Sequence, residues 1–301
     1  MPKEKIGFIG AGSMGKAMVR RLLTAHYDVI VTSRRPETAA ELEADGAKTV
    51  PTPLIVADEC DILMTCLPSD TELFEIYLGP EGALEHLHQG ATVIDFSTTS
   101  PMIIQRIAAE ATSRQIQVID APVSGGVYGA EHGTLTIMVG APREVFEQNR
   151  SILSVLGAQL YPVGDVGMGK VFKIINNLLA GTTMVLIGEA LAVAANAGAD
   201  LSLLYEVVGS SSGTSAMWMD SVPKLLRSTE HPVGFRLDLM RKDLGLATAL
   251  GRDLDTPMPL TALADQLFTA ACARGMGEQN AFDVAKLVTA LAGVRLPGDH
   301  A

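Results

Sequence analysis

The stretch Lys5-Ile-Gly-Phe-Ile-Gly10-Ala11-Gly12-Ser13-Met14-Gly15-Lys-Ala-Met18 carries an apolar run straight into Gly-x-Gly-x-x-Gly and on into a helical pattern. In a strand-turn-helix that holds a dinucleotide, each glycine has its own task. Gly10 turns the chain sharply off the strand, Gly12 lets the backbone approach a pyrophosphate, and Gly15 lets the helix pack close to the strand. Backbone N–H groups at the start of that helix face the phosphates. Gly10, Gly12 and Gly15, with Ala11, Ser13 and Met14 between them, are therefore the candidate cradle. A tight glycine turn without a ligand is the competing reading, and the placement between an apolar run and the amphipathic segment 14–23 argues against it.

Outward from this motif, apolar β-type runs at 6–9, 29–32, 62–66, 92–95, 118–119 and 135–139 alternate with helical patterns. Alternation of this kind predicts an α/β fold, a doubly wound parallel sheet of the Rossmann type covered by helices. The character changes after Gly164-Asp-Val-Gly167-Met-Gly169. Residues 1–164 are expected to form the dinucleotide-binding domain, and 165–301 an all-helical domain for substrate and oligomerisation. That second domain opens with helical spacing over most of 170–197 and adds helices at 202–208, 238–250 and 260–274. Thr256-Pro-Met-Pro259 marks a break before a helix start, and residues 296–301 are expected to fray.

A length of 301 residues exceeds the usual ~100–200 of one domain. With 48% hydrophobic and 19% charged residues, the chain is ordinary for a globular enzyme. A net charge of -11 argues against nucleic acid or an anionic membrane as a partner, since either would demand a basic face. The apolar stretch Leu178 to Ala195 is interrupted by Gly181, Thr182, Thr183 and Glu189, and reads as a buried core helix rather than a membrane span. The whole segment 170–197 is too apolar to face water on several sides, which predicts a homo-oligomer, dimer or tetramer, with this helix and the C-terminal helices at the interface. Cys60, Cys66 and Cys272 sit in apolar runs and read as buried reduced thiols. Together with an N-terminus that goes directly into the first strand, they predict a cytoplasmic protein. His26, His86, His88, His132, His231 and His300 are scattered, so no metal and no histidine base is assigned. Met217-Trp218-Met219 reads as core packing.

The choice between the two nicotinamide cofactors turns on the end of the second strand, where a carboxylate accepts from the ribose 2′-OH and repels a 2′-phosphate. Here the run is Val29-Ile-Val-Thr32-Ser33-Arg34-Arg35-Pro36. Ser33 stands at the carboxylate's place and two guanidinium groups follow, which suits the 2′-phosphate of NADP. Arg34 and Arg35 as a solvated pair at a helix start, with NAD accepted, is the alternative.

Four motifs, in order, resemble the β-hydroxyacid dehydrogenases, the family that includes 3-hydroxyisobutyrate dehydrogenase, tartronate semialdehyde reductase and threonate dehydrogenase. They are Gly7-Phe-Ile-Gly-Ala-Gly-Ser-Met-Gly15, Asp120-Ala-Pro-Val-Ser124-Gly125-Gly126, Gly167-Met-Gly169-Lys170-Val-Phe-Lys173-Ile-Ile-Asn176-Asn177 and Lys242-Asp243-Leu244. The resemblance implies a Rossmann domain, a long interdomain helix and a helical C-terminal domain, with hydride transfer between NADP(H) and a small β-hydroxy acid or its semialdehyde, a carboxylate-bearing substrate. It places the family's essential lysine on Lys173, with Asn177 one helical turn further on, where both reach the same substrate oxygen. Lys173 lies early in its helix, where the dipole and the preceding Lys170 disfavour another cation; the lowered pKa this predicts suits a proton shuttle. Lys170 itself reads as a surface or cofactor-side lysine. Ser124-Gly125-Gly126 resembles the carboxylate-binding loop, a small anion cradle of backbone N–H groups beside a hydroxyl. Lys242 resembles the lysine that closes over nicotinamide and substrate, with a helix-capping charge as the plainer reading. Leu67, Pro68 and Thr98 fall where the family lines the cofactor's path. A non-catalytic NADP-binding module and an imine reductase on the same scaffold are the alternatives. The chain also lacks the long C-terminal region expected of a phosphogluconate dehydrogenase.

Overall fold

Short apolar runs, most of them closed by a polar residue, recur along the first half of the chain, and each becomes a strand. In the computed structural model, which describes residues 4–227 and 231–296, β1 (Ile6–Ile9), β2 (Val29–Thr32), β3 (Lys48–Thr49), β4 (Ile62–Thr65), β5 (Thr92–Asp95) and β6 (Gln117–Asp120) pair in parallel in the order β3-β2-β1-β4-β5-β6. Four-residue runs such as Ile6–Ile9 and Ile62–Thr65 are buried throughout, because helices cover both faces. α1 (Ser13–Thr24), α2 (Pro36–Ala44), α3 (Pro53–Glu59), α4 (Asp70–Leu78), α5 (Ala83–His86) and α6 (Pro101–Ser113) supply the crossovers. One face holds Phe8, Met18 and Leu22; the other holds Val56, Leu73 and Ile104.

Past β6 the sheet stops being purely parallel. β7 (Val123–Ser124), α7 (Gly126–His132), β8 (Leu135–Gly140), α8 (Arg143–Leu156) and β9 (Gly157–Gly164) follow, with β8 antiparallel to β6 and β7 and parallel to β9. Three of the nine strands, β3, β7 and β9, have no reading in the sequence. β3 and β7 are two residues long, and β9 is largely exposed, pairs with β8 alone and contains Pro162, which a strand with an unpaired side tolerates.

The chain divides into two compact units, 1–173 and 174–301. The division falls inside α9 (Met168–Asn196), whose first turn is bonded to the ends of β5 and β6 described below. The second unit adds α10 (Leu201–Gly209), α11 (Ala216–Leu225), α12 (Leu237–Asp253), α13 (Pro259–Ala273) and α14 (Val284–Leu291). Its core gathers Leu191, Trp218, Leu244 and Phe268. Two glycines of α9 make that packing close: a Cβ on Gly181 would meet Met240 Sδ at 3.0 Å, and one on Gly188 would meet Val288 Cβ at 2.8 Å. α11, with Pro223 inside it, and the eight-residue α14 give too short or too interrupted a period to read beforehand.

α9 is not wholly buried: Ile175, Leu179, Leu186 and Val193 form an exposed apolar stripe. Of the cysteines, only Cys60 is buried, its thiol pushed up to about 12 by desolvation; Cys66 and Cys272 are half-buried. Trp218 and Met217 pack in the core, but Met219 is exposed. Residues 297–301, within the segment expected to fray, lie outside the described residues.

Candidate active site

Strand register lines up one row of residues at the carboxyl edge of the sheet. Thr32 pairs with Ile9, Ile9 with Thr65, Thr65 with Asp95 and Asp95 with Asp120. Each is the last residue of its strand, and ligands of open α/β sheets bind beyond that edge. Gly10 leaves Ile9 at φ +98, and a Cβ there would lie 2.3 Å from the Cys66 carbonyl oxygen. A Cβ on Gly15 would lie 2.2 Å from the Gly10 oxygen, so α1 packs against the turn as closely as the sequence requires. A Cβ on Gly12 would meet nothing within 4 Å, which leaves room for a ligand against the backbone. No side chain caps the N-terminus of α1, where Ser13, Met14 and Gly15 begin the helix. These features fit a pyrophosphate.

Ser33, Arg34 and Arg35 continue from β2 beside this loop. Arg35 Nη2 lies 3.5 Å from the Ala11 carbonyl, its N–H donates to Ser33 Oγ at 3.2 Å, and both arginines are exposed. Two cations and a hydroxyl, with no carboxylate in the segment, fit a phosphate on the ribose better than a bare 2′-OH. On the other side, the Leu67 N–H donates to Ser97 Oγ at 2.8 Å, which ties the Leu67-Pro68 segment to the loop carrying Thr98.

Beneath those loops lies a buried network absent from the sequence reading. Asp95 Oδ1 accepts from Thr65 Oγ1 and from Ser97 Oγ, each at 2.6 Å, and the fully buried Tyr77 donates to Thr65 Oγ1 at 3.1 Å. Burial and the Asp95 charge push the Tyr77 hydroxyl well above its ordinary range. Lys170, read from sequence as a surface or cofactor-side lysine, is completely buried: Nζ lies 2.6 Å from Asp95 Oδ2. The sequence reading missed it because a helix-start lysine looks solvated until strand register supplies its partner. The legible signal was the carboxylate closing each of two apolar strands, Val93-Ile94-Asp95 and Val118-Ile119-Asp120. Asp120 Oδ1 accepts the Gly167 N–H at 2.7 Å and Oδ2 the Lys170 N–H at 2.8 Å. Burial still holds its carboxyl above the usual range, against the pull of the Lys170 ammonium and both N–H donors.

Ser124 ends β7, paired with Thr136, and Gly125 and Gly126 follow at φ +129 and +64, a left-handed turn into α7 that glycine adopts readily. α7 packs along α1, so the Ser124-Gly125-Gly126 loop and the phosphate loop open helices that touch. Lys173 and Asn177 lie one turn apart on α9, 9% and 4% exposed. Asn177 is fully oriented: Nδ2 donates to Asp243 Oδ2 at 2.5 Å, and Oδ1 accepts from Asn176 Nδ2 at 2.9 Å. Asp243, to which the Lys242-Asp243-Leu244 motif alone gives no role, is buried in α12. Lys242 is in the second turn of the same helix, not at its cap. Its Nζ lies 3.1 Å from Asp243 Oδ1, an electrostatic contact without hydrogen-bond geometry.

Comparison with known proteins agrees across nearly the whole chain. Residues 5–164 match the family profile described as the NAD binding domain of 6-phosphogluconate dehydrogenase, and 167–288 match that described as NAD-binding of NADP-dependent 3-hydroxyisobutyrate dehydrogenase. The chain is 39% identical over 294 residues to 2-(hydroxymethyl)glutarate dehydrogenase of Eubacterium barkeri, covering 98% of each chain. It is 36% identical over 270 residues to 3-hydroxyisobutyrate dehydrogenase of Pseudomonas aeruginosa, covering 88% of this chain and 91% of that one. The solved structure of 3-hydroxyisobutyrate dehydrogenase from Salmonella typhimurium superposes with a TM-score of 0.83 at 30% identity, covering 95% of this chain and 100% of that one. An imine reductase from Myxococcus stipitatus, at 18% identity and a TM-score of 0.65, shares the fold alone.

Proposed function

The chain belongs to the β-hydroxyacid dehydrogenase family, and from that premise we propose that it is an NADP-preferring oxidoreductase of the CH–OH group. Its substrate is a small β-hydroxy acid or the corresponding semialdehyde, of the 3-hydroxyisobutyrate or tartronate semialdehyde type. Bound nicotinamide supplies or accepts the hydride. Gly10, Ala11, Gly12, Ser13, Met14 and Gly15 hold the pyrophosphate, Ser33, Arg34 and Arg35 take the 2′-phosphate, and Leu67, Pro68 and Thr98 line the cofactor. Ser124, Gly125 and Gly126 bind the substrate carboxylate through a hydroxyl and backbone N–H groups. Lys173 gives a proton to the substrate oxygen in reduction and takes it back in oxidation. Asn177 orients the same oxygen, and Lys242 supplies a positive charge toward the cofactor and substrate.

One observation carries this reading: a lysine and a carboxamide are buried one turn apart on α9, the carboxamide with both ends fixed. A non-catalytic dinucleotide module has no call for that pair. The apolar stripe of α9 supports a homodimer or homotetramer rather than a membrane span, since the opposite face packs on α12 and α14 through Gly181 and Gly188. The acidic charge and free cysteines support a cytoplasmic enzyme.

Lys173→Ala tests the proton-transfer role. Because the phosphate loop is untouched, NADPH binding, followed by nicotinamide fluorescence, should persist while kcat falls by ~10²–10⁴. Parental kcat in this variant would refute the assignment.

A further inference from the structure

We propose that Lys170 is a positioning residue for Lys173: its buried ammonium, clamped by Asp95 while Asp120 holds its backbone, fixes the first turn of α9 to the ends of β5 and β6. The inference rests on the reading of Lys173 as the group that moves the proton.

Lys170 is tied at both ends. Its Nζ donates to Asp95 Oδ2 at 2.6 Å, to the Ser97 carbonyl at 2.6 Å and to the Asp95 carbonyl at 3.2 Å. Three acceptors match the three N–H donors of an ammonium, so the side chain has one arrangement. Its backbone N–H is held by Asp120, which also takes the Gly167 N–H. Asp95 and Asp120 are register partners on adjacent strands, so the two anchors are themselves fixed side by side. Between them the helix has no slack: a Cβ on Gly169 would lie 2.5 Å from the Met138 carbonyl oxygen and 2.6 Å from Asp120 Oδ2. The other oxygen of Asp95 holds Thr65 and Ser97, and Ser97 holds the Leu67 N–H. One carboxylate therefore sets the helix start and both loops read as cofactor lining.

Stability alone does not account for this pair, because a buried ion pair gives little net stability over apolar residues of the same volume. Directed bonds do fix position. Lys173 lies three residues beyond Lys170, less than one helical turn, so a displacement of the helix start passes to it undiminished.

The test is a double-mutant cycle in the full-length enzyme, with oxidised NADP and 3-hydroxyisobutyrate in one direction and NADPH and the corresponding semialdehyde in the other. Lys170→Met should fold cooperatively, bind NADPH and hold the substrate KM within about threefold of the parent, and lose kcat by roughly 10- to 100-fold, the scale of a misplacement near 1 Å. In the Lys173→Ala background the same substitution should cost nothing further in kcat, because the group it positions is gone. Should Lys170→Met not fold, Lys170→Met/Asp95→Asn removes the uncompensated charge and is measured in its place, with the same expectations. Parental kcat in the folded Lys170 variant, a loss that multiplies with that of Lys173→Ala, or failure of both variants to fold would each overturn the positioning role. If Lys173→Ala itself keeps parental kcat, the proton-transfer reading fails first, and the positioning role fails with it.

Discussion

Residue 33 decides more chemistry than its size implies. A carboxylate at the end of β2 would accept from a ribose 2′-OH and repel a phosphate; Ser33 carries no charge to repel one and has a hydroxyl that can donate to it, and Arg35 is close enough to reach the Ala11 carbonyl of the phosphate loop. The parent should therefore show a lower KM for NADPH than for NADH, since each well-formed charge-assisted contact contributes ~1.5–3 kcal/mol. Ser33→Asp with Arg34→Leu should invert the ratio in steady-state assays with both cofactors. An unchanged ratio would mean that the arginines are only a solvated helix start. At this scale the sequence was informative where a residue type is dictated by backbone geometry, as at Gly10 and Gly15, whose added Cβ atoms would meet backbone oxygens. It was silent where a side chain's partner comes from strand register. Lys170 and Asp95 are 75 residues apart, and nothing local in either segment announces the other.

The start of α9 is where an element's geometry and an unusual titration meet. Burial raises the Asp120 carboxyl above its ordinary 3.8 in the fold, so between the unfolded and folded values the native state binds more protons than the unfolded state. Its contribution is fully present below the unfolded pKa and is lost as pH rises through the folded one. Asp120→Asn removes this titration. The difference in unfolding free energy, parent minus variant, should therefore grow as pH falls from neutral through the raised value, and level off below the unfolded one. Urea melts across that range check the sign; a difference that shrinks on acidification would show that the Lys170 ammonium and the two N–H donors outweigh burial. Elements with a strong period were legible: the buried strands of four residues, α1, α12 and α13 all stand within a few residues of their expected bounds. β7 and β9 were not, because a two-residue strand has no period and a mostly exposed one has no hydrophobic alternation to reveal.

For the whole molecule, the order of motifs revealed two units, an α/β sheet followed by helices, and family membership follows from the comparisons. Less visible was how much apolar surface the chain leaves uncovered. Ile175, Leu179, Leu186 and Val193 repeat along one face of α9, and Leu260 and Leu263 are exposed on α13. An uncovered stripe of this kind is suited to a protein interface. We expect a closed homo-oligomer, and light scattering at micromolar concentration should give a mass at least twice 31.7 kDa; a monomer alone would leave the stripe without its partner. Hydride transfer on a small hydroxy acid is the chemistry of the family, and we propose that this chain holds its substrate by the carboxylate. The most direct measurement follows the absorbance of reduced nicotinamide when the parent protein and oxidised NADP meet 3-hydroxyisobutyrate or a related β-hydroxy acid, beside the amide of the same compound. Turnover of the acid is expected, with kcat/KM for the amide lower by at least ~10-fold, as follows when a charge-assisted hydrogen bond worth ~1.5–3 kcal/mol is lost. Equal kcat/KM for acid and amide, or no reduction with any small β-hydroxy acid, would contradict it.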